Sequence, residues 1–174
     1  VMLDRIDQEV LSTCGFSNWN PPVYLDTAEI SMAIALALDW TQDRLPESTI
    51  KKAKKALIEK GIHPSWEEEG ADMKYAWWVD HYNNWNQVCN GGMIAASIAI
   101  AETDPELAAK TIHRALDGLP HSLVEYGPDG VYPEGSTYWG YGTSFSVITA
   151  AMLESAFGTD FGHLNYPAFK ESAT

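Results

Sequence analysis

Cysteine is scarce in this chain: Cys14 and Cys89 are the only two among 174 residues. Two thiols so far apart, outside any CxxC or Cys/His cluster, exclude a disulfide framework and a structural zinc site. They read as small buried hydrophobes, and a single disulfide between them is allowed but not required. Positive charge is also short, with 11 Lys and Arg against 24 Asp and Glu and a formal net charge of −13. No basic patch interrupts that excess, which argues against nucleic-acid backbones and anionic membranes as partners. The longest apolar runs are near 10 residues, against the roughly 20 that a bilayer-spanning helix needs. No secretory leader opens the chain, but Val1-Met2-Leu3 is not a natural start, so this says little about export. Strand-like alternation is convincing nowhere.

What is present is globular, with 45% apolar and 20% charged residues, enough for one ordinary domain and a sizeable core. Tryptophan is heavily used, with 7 in this length. Core and rim packing is one explanation; a stacking surface for sugars or other rings is the other.

The helical signals come in two kinds that alternate. Residues 3–11 (LDRIDQEVL), the segment STIKKAKKALIEKG opened by Pro46-Glu47-Ser48, and a helix starting near Pro105 are amphipathic. Gly61 and Pro64 are read as the stop of the second, and Thr103 or Asp104 as the N-cap of the third, which runs on towards Pro120. Between them lie ISMAIALAL (30–38), MIAASIAIA (93–101) and FSVITAAML (145–153), apolar almost all the way round and therefore expected to be buried on every side. Wet outer helices alternating with dry inner ones predict an all-α hairpin array, a toroid or solenoid.

The loops entering the inner helices are alike. Trp19, Trp85 and Trp139 stand 66 and 54 residues apart, about one hairpin each time. Inner helices of such an array run the same way, so these loops share one mouth. There, free backbone N–H groups at helix starts can seat a carboxylate or sulfate, Asn amides add neutral donors, and indole rings can stack on sugars. The run Asn83-Asn84-Trp85-Asn86-Gln87-Val88-Cys89-Asn90-Gly91-Gly92 is unusually polar for the start of a dry helix. Capping by Asn86 or Asn90 explains one asparagine, not four. The second polar stretch begins as a Pro128-Asp129-Gly130 turn and ends with Tyr138 and Tyr141 three apart, on one helix face. Lys74 and His81 are the evident cations nearby.

NNWNQVCNGG followed by PDGVYPEGSTYWGYG resembles the heparinase II/III-like superfamily of polysaccharide lyases, which includes oligoalginate lyases. Tyr24-Leu25-Asp26-Thr27-Ala28-Glu29 with Asp39-Trp40 is similar to that family's inner-helix pattern, and the likeness spans roughly residues 20–157. The resemblance implies an incomplete (α/α) toroid followed by a large antiparallel β-sheet domain. Residues 1–174 would then be a single piece of the toroid, inactive alone, with the β domain and other catalytic His, Tyr or Arg residues outside it. It implies β-elimination at a uronic acid, which needs the carboxylate neutralised, the α-proton removed and the leaving oxygen protonated. Carried over, Asn83 or Asn84 is the neutraliser and Tyr138 the proton-transfer residue, with Tyr141 as the other candidate. Glu134 positions its neighbours, and His81, Trp85, Asn86, Trp139 and Trp19 contact substrate. The partner implied is an acidic polysaccharide or oligosaccharide, and the localisation periplasmic or secreted. No cofactor is expected in this chain, although such enzymes can carry a metal in the sheet domain. One departure matters: many members have His beside the motif's Asn, where this chain reads Asn-Asn-Trp and His81 lies two residues earlier. Two other readings stand beside the lyase: an α/α-toroid hydrolase or hydratase using carboxylates such as Asp80 and Glu134, and a non-catalytic glycan-binding domain.

Overall fold

A computed structural model describes residues 1–41 and 44–172. Its elements are α1 (Met2–Cys14), α2 (Tyr24–Thr41), α3 (Glu47–Ala56), β1 (Glu68–Glu69), β2 (Asp72–Met73), α4 (Asn84–Ile100), α5 (Pro105–Gly118), α6 (Pro120–Leu123), α7 (Ser136–Phe157) and α8 (Pro167–Glu171). The all-α expectation holds: the two strands are a two-residue antiparallel pair turning at Gly70.

The amphipathic helices behave as their sequences dictate. In α3 the buried residues are Thr49, Ala53 and Ala56, one stripe at helical spacing. Thr49 donates to Asp7 of α1 across 2.6 Å. Helix α5 begins at a true cap, with Asp104 accepting the Leu107 N–H at 3.0 Å, followed by Pro105, whose missing N–H costs nothing there. Gly61 and Pro64 do not simply stop the second helix. After α3 the chain widens into a π-helical stretch (Leu57–Ile62) and tightens into a 3₁₀ turn (His63–Trp66) that contains Pro64. A Cβ at Gly61 would lie 2.8 Å from the Ser31 hydroxyl, so Gly61 serves a close approach to α2.

Helix α4 is the centre. Nearly all of it is buried, including Met93, Ile94, Ala96 and Ile100 at 0% exposure; each large apolar side chain so removed from water contributes about 1.5–3 kcal/mol. It has α2 on one flank and α7 on the other, and α5 also packs on it. The flanking helices reach it through adjacent glycines. A Cβ at Gly92 would sit 2.6 Å from the Ala28 carbonyl oxygen of α2, and one at Gly91 2.6 Å from Thr149 Oγ1 of α7. Contacts then advance in step: Gly92 meets Ala28, and Ala95 clusters with Met32 and Ala35, while Gln87, Gly91 and Ile94 meet Ser146, Thr149 and Leu153 in turn. Helices α2, α4 and α7 therefore run parallel, with their N-terminal ends at one end of the molecule. Elsewhere α1 and α3 are tied by the Asp7–Thr49 bond, and Arg114 and Thr111 of α5 bond Ser65 and Trp66 of the 3₁₀ turn that follows α3.

Helix α7 departs from the expectation of burial on every side. One face (Gly142, Ser146, Thr149, Ala150, Leu153) is buried, whereas Val147 and Ile148 are 48% and 39% exposed. Apolar composition all round records what a helix could bury, and among the described residues only one flank of α7 is covered. After Gly158 closes α7 in the left-handed conformation (φ 74°), the chain folds back so that Phe169 of α8 joins Leu123, Tyr126 and Tyr132 in a separate cluster.

Candidate functional site

The parallel arrangement gathers the starts of α2, α4 and α7 at one mouth. Asn83 caps α4: its Oδ1 accepts the Trp85 N–H at 3.2 Å. The cap is thus Asn83, neither Asn86 nor Asn90, and the bond leaves the Asn83 side-chain NH₂ as a donor on a half-buried residue.

Asn84 is differently engaged. Its backbone N–H donates to the Glu134 carboxylate at 2.7 Å and its Nδ2 to the same carboxylate at 2.9 Å. The Tyr132 hydroxyl adds a third donor at 3.0 Å. Since a carboxylate only accepts, these contacts fix which end of the amide is nitrogen. Asn84 is 2% exposed and its Oδ1 is buried without a partner. Burial, then the bond to Glu134, push the Tyr132 phenol well above its ordinary range, so Tyr132 is a fixed donor. This junction joins the two polar motifs across 50 residues of sequence.

Tyr138 and Tyr141 have separate surroundings. Tyr138 is 48% exposed at the start of α7, and its hydroxyl has no hydrogen-bond partner among the described residues. Tyr141 donates to the Glu29 carboxylate of α2 and packs edge-on against Phe145 with centroids 5.5 Å apart. Burial first, then the bond to Glu29 and the charges of Glu29 and Asp26, raise its pKa strongly. The bond ties α7 to α2 across the end of α4 and brings two carboxylates to the mouth.

His81 belongs to an aromatic group rather than to the hydrogen-bonded one. Its ring stacks on Tyr82 (4.5 Å, 22°) and meets Trp77 edge-on (4.9 Å, 86°), while Trp77 lies 4.9 Å from half-buried Trp85. His81 Nδ1 is buried without a partner. Lys74 is engaged elsewhere, over the Tyr75 ring and 3.9 Å from the Glu67 carboxylate.

Three of the expected substrate contacts are engaged in packing. Trp19 is 1% exposed, with its indole N–H donating to the Thr13 carbonyl and its ring beside Gly61; a ring closed on both faces offers a sugar no surface. Asn86 is 0% exposed and pins three segments, donating to the Val79 and Gly118 carbonyls at 2.6 and 3.0 Å and accepting from Ser122 at 2.7 Å. Trp139 is half-buried against the Leu123–Tyr126–Tyr132–Phe169 cluster. Asp80, expected to work with Glu134, lines a groove with Trp66, Lys110, Arg114 and Asp117 instead. There the Arg114 guanidinium, stacked 3.7 Å over Trp66, is lowered by burial to about 10.

Sequence reasoning assigned no role to Tyr132, Glu29, Asp26, Trp77 or Tyr82. For Glu29 the inner-helix pattern marked the segment but not the partner, which lies 112 residues away; for Tyr132, the spacing Tyr-x-Glu was the available hint. Both cysteines are free, and burial raises the Cys89 thiol well above its usual value. Among the described residues no cluster of three His, Cys, Asp or Glu side chains could hold a metal, and no helix is long and apolar enough to cross a membrane. No protein-family model and no curated protein matches the chain.

Proposed function

We propose that the chain is the helical part of a polysaccharide lyase that cleaves a uronic-acid-containing chain by β-elimination, its parallel inner helices forming an arc of an (α/α) toroid. The observation that carries this reading is the junction of the two motifs, Asn84–Glu134–Tyr132, with the Asn83 amide and the Tyr138 phenol at the same end of the inner helices. A uronate seated there finds a neutral donor for its carboxylate, the Asn83 NH₂, beside the positive end of the α4 dipole. Neutralising that carboxylate makes the α-proton acidic, because the developing charge is then spread onto hydrogen-bonded oxygen. The proton leaves to a base, its electron pair becomes the new carbon–carbon double bond, and the glycosidic C–O bond breaks as its oxygen takes a proton.

Tyr138 is the proton-transfer residue in this reading. Its hydroxyl is open to a substrate, whereas the Tyr141 hydroxyl is committed to Glu29 in surroundings that oppose its ionisation. Asn84 acts as a positioning residue: Glu134 occupies its amide nitrogen, and the helix start it anchors carries Asn83. A substrate of this size puts the enzyme in the periplasm or outside the cell.

The test is the whole polypeptide given alginate, heparan-type and other uronate chains, with the ultraviolet absorbance of the unsaturated product as readout. Tyr138→Phe should abolish turnover with binding retained. Release of reducing ends without that absorbance refutes the lyase. It would favour a hydrolase or hydratase reading, for which the specific observation is the pair Asp26 and Glu29 beside Tyr141. Such a pair needs carboxylates about 5–10 Å apart across the scissile bond.

A further inference from the structure

We infer that Trp77 and Tyr82 form a saccharide subsite beside the reacting sugar, taking a neighbouring pyranose ring by face stacking rather than by charge. The inference rests on the lyase reading only for what happens next door. Trp77 and Tyr82 are 49% and 63% exposed, in a chain that fully buries Trp19, Trp78, Tyr24 and Tyr126. An exposed aromatic group held rigidly in place, rather than a single stray ring, marks a contact surface. The rigidity is visible: Trp77 is braced by His81 edge-on and by Trp85, and Tyr82 by the stacked His81 ring. Trp85 stands in the first turn of α4 and packs against the core, which anchors the set. Rings already fixed lose little freedom on binding, so stacking yields more net affinity.

The occupant follows from the chemistry of this shelf. Its faces are aromatic, Tyr82 brings a hydroxyl and Asn83 follows it in sequence, and among the described residues no lysine or arginine stacks on these rings. That combination suits a ring with an apolar C–H face and a hydroxyl rim. An aliphatic protein segment matches better the Val147 and Ile148 face of α7. The position fits too, since Tyr82 adjoins Asn83 and stands two residues from Asn84, within about 7.6 Å along the backbone. A chain whose uronate meets Asn83 therefore has its next sugar over the shelf.

Calorimetry on the whole polypeptide tests this in the Tyr138→Phe background, so that the probe is not consumed. The probes are an alginate-derived tetrasaccharide, its disaccharide and cellotetraose. Trp77→Ala and Tyr82→Ala should each weaken the uronate tetrasaccharide about tenfold or more, some 1.4 kcal/mol, with a smaller effect on the disaccharide. Trp77→Phe should keep most of the affinity, and far-ultraviolet circular dichroism should show every variant folded. Unchanged tetrasaccharide affinity in folded Trp77→Ala and Tyr82→Ala overturns the subsite, as does failure of every probe to bind the parent. Binding that depends on Trp77 without any unsaturated product from the Tyr138 enzyme removes the lyase and leaves the subsite standing. Product formation with the Michaelis constant unmoved by Trp77→Ala on long and short chains does the reverse.

Discussion

Glu134→Ala measures how firmly the two motifs are locked together. The carboxylate accepts the Asn84 backbone N–H, the Asn84 side-chain amide and the Tyr132 hydroxyl. Hydrogen bonds to an ionised group are worth about 1.5–3 kcal/mol when sheltered, and a negative charge at a helix start adds about 0.3–1 kcal/mol. Glu134 is an exposed residue, so the lower ends apply, about 1.5–2 kcal/mol together. Asn84, at 2% exposure, is then left with a buried unpaired N–H, costing about 1 kcal/mol more. The expected loss is about 2–3 kcal/mol, read from urea denaturation with an unchanged slope. Glu134→Gln keeps an acceptor for Asn84 but not for all three donors and should cost about half as much. In the double-mutant cycle with Asn84→Ala, the coupling should reach about 1 kcal/mol or more. A Glu134→Ala cost under about 0.5 kcal/mol, the size of an ordinary surface change, or a coupling near zero, would show that Glu134 is a solvated side chain and refute the lock.

The glycines of α4 and α7 make a graded series. Gly92→Ala drives a Cβ against the Ala28 backbone oxygen and should cost about 1–3 kcal/mol in thermal or urea unfolding. Gly91→Ala crowds the Thr149 side chain rather than backbone, with Phe145 at ordinary contact distance, and should cost less; Gly140→Ala, with nothing within 4 Å, should stabilise by about 0.5–1 kcal/mol. His163 supplies a pH dependence. Burial lowers its pKa to about 4 against the pull of Asp160, whereas the unfolded chain protonates it near 6.5 (about the free value). The unfolded state therefore binds the extra proton first, and stability is lost as pH falls through that window, by about 1.4 kcal/mol per unit. Comparing wild type with His163→Gln at pH 7.5 and 4.5 cancels the carboxylates, and the difference between them should shift by about 2–3 kcal/mol; a constant difference rules the effect out.

The helical alternation was legible because burial imprints itself locally: the stripe Thr49, Ala53, Ala56 and the unbroken apolar run of α4 are statements about single helices. What the sequence could not show depends on partners far along the chain. The position of Trp19 suggests a rim residue, and the ring is buried with its N–H on the Thr13 carbonyl and Gly61, 42 positions on, against it. Asn86 looked like one of four rim asparagines, and its partners Val79, Gly118 and Ser122 give it a structural task. The run 145–153 reads as buried all round, yet nothing in it tells how many flanks will be occupied. The chance that Asn84 and Glu134 meet was visible only as two motifs of unusual polarity, and their bond required the fold.

The adjacent glycines of α4 also limit how this part of the chain can vary in length. Asn83, Asn84, Gly91 and Gly92 lie on one continuous helix with its cap, so the slots for α2 and α7 and the groups at the mouth turn together. A single residue inserted between 84 and 91 would rotate one set against the other by about 100°. Gly91 and Gly92 would then face away from Thr149 and Ala28, or the asparagines away from Glu134. Insertions and deletions are therefore expected to be excluded from this stretch and confined to segments such as the turn between Glu69 and Asp72, where Gly70 has nothing within 4 Å. The spacing from cap to glycine pair works as a fixed ruler, and chains that share this mouth should share that interval before they share any side chain on the rim.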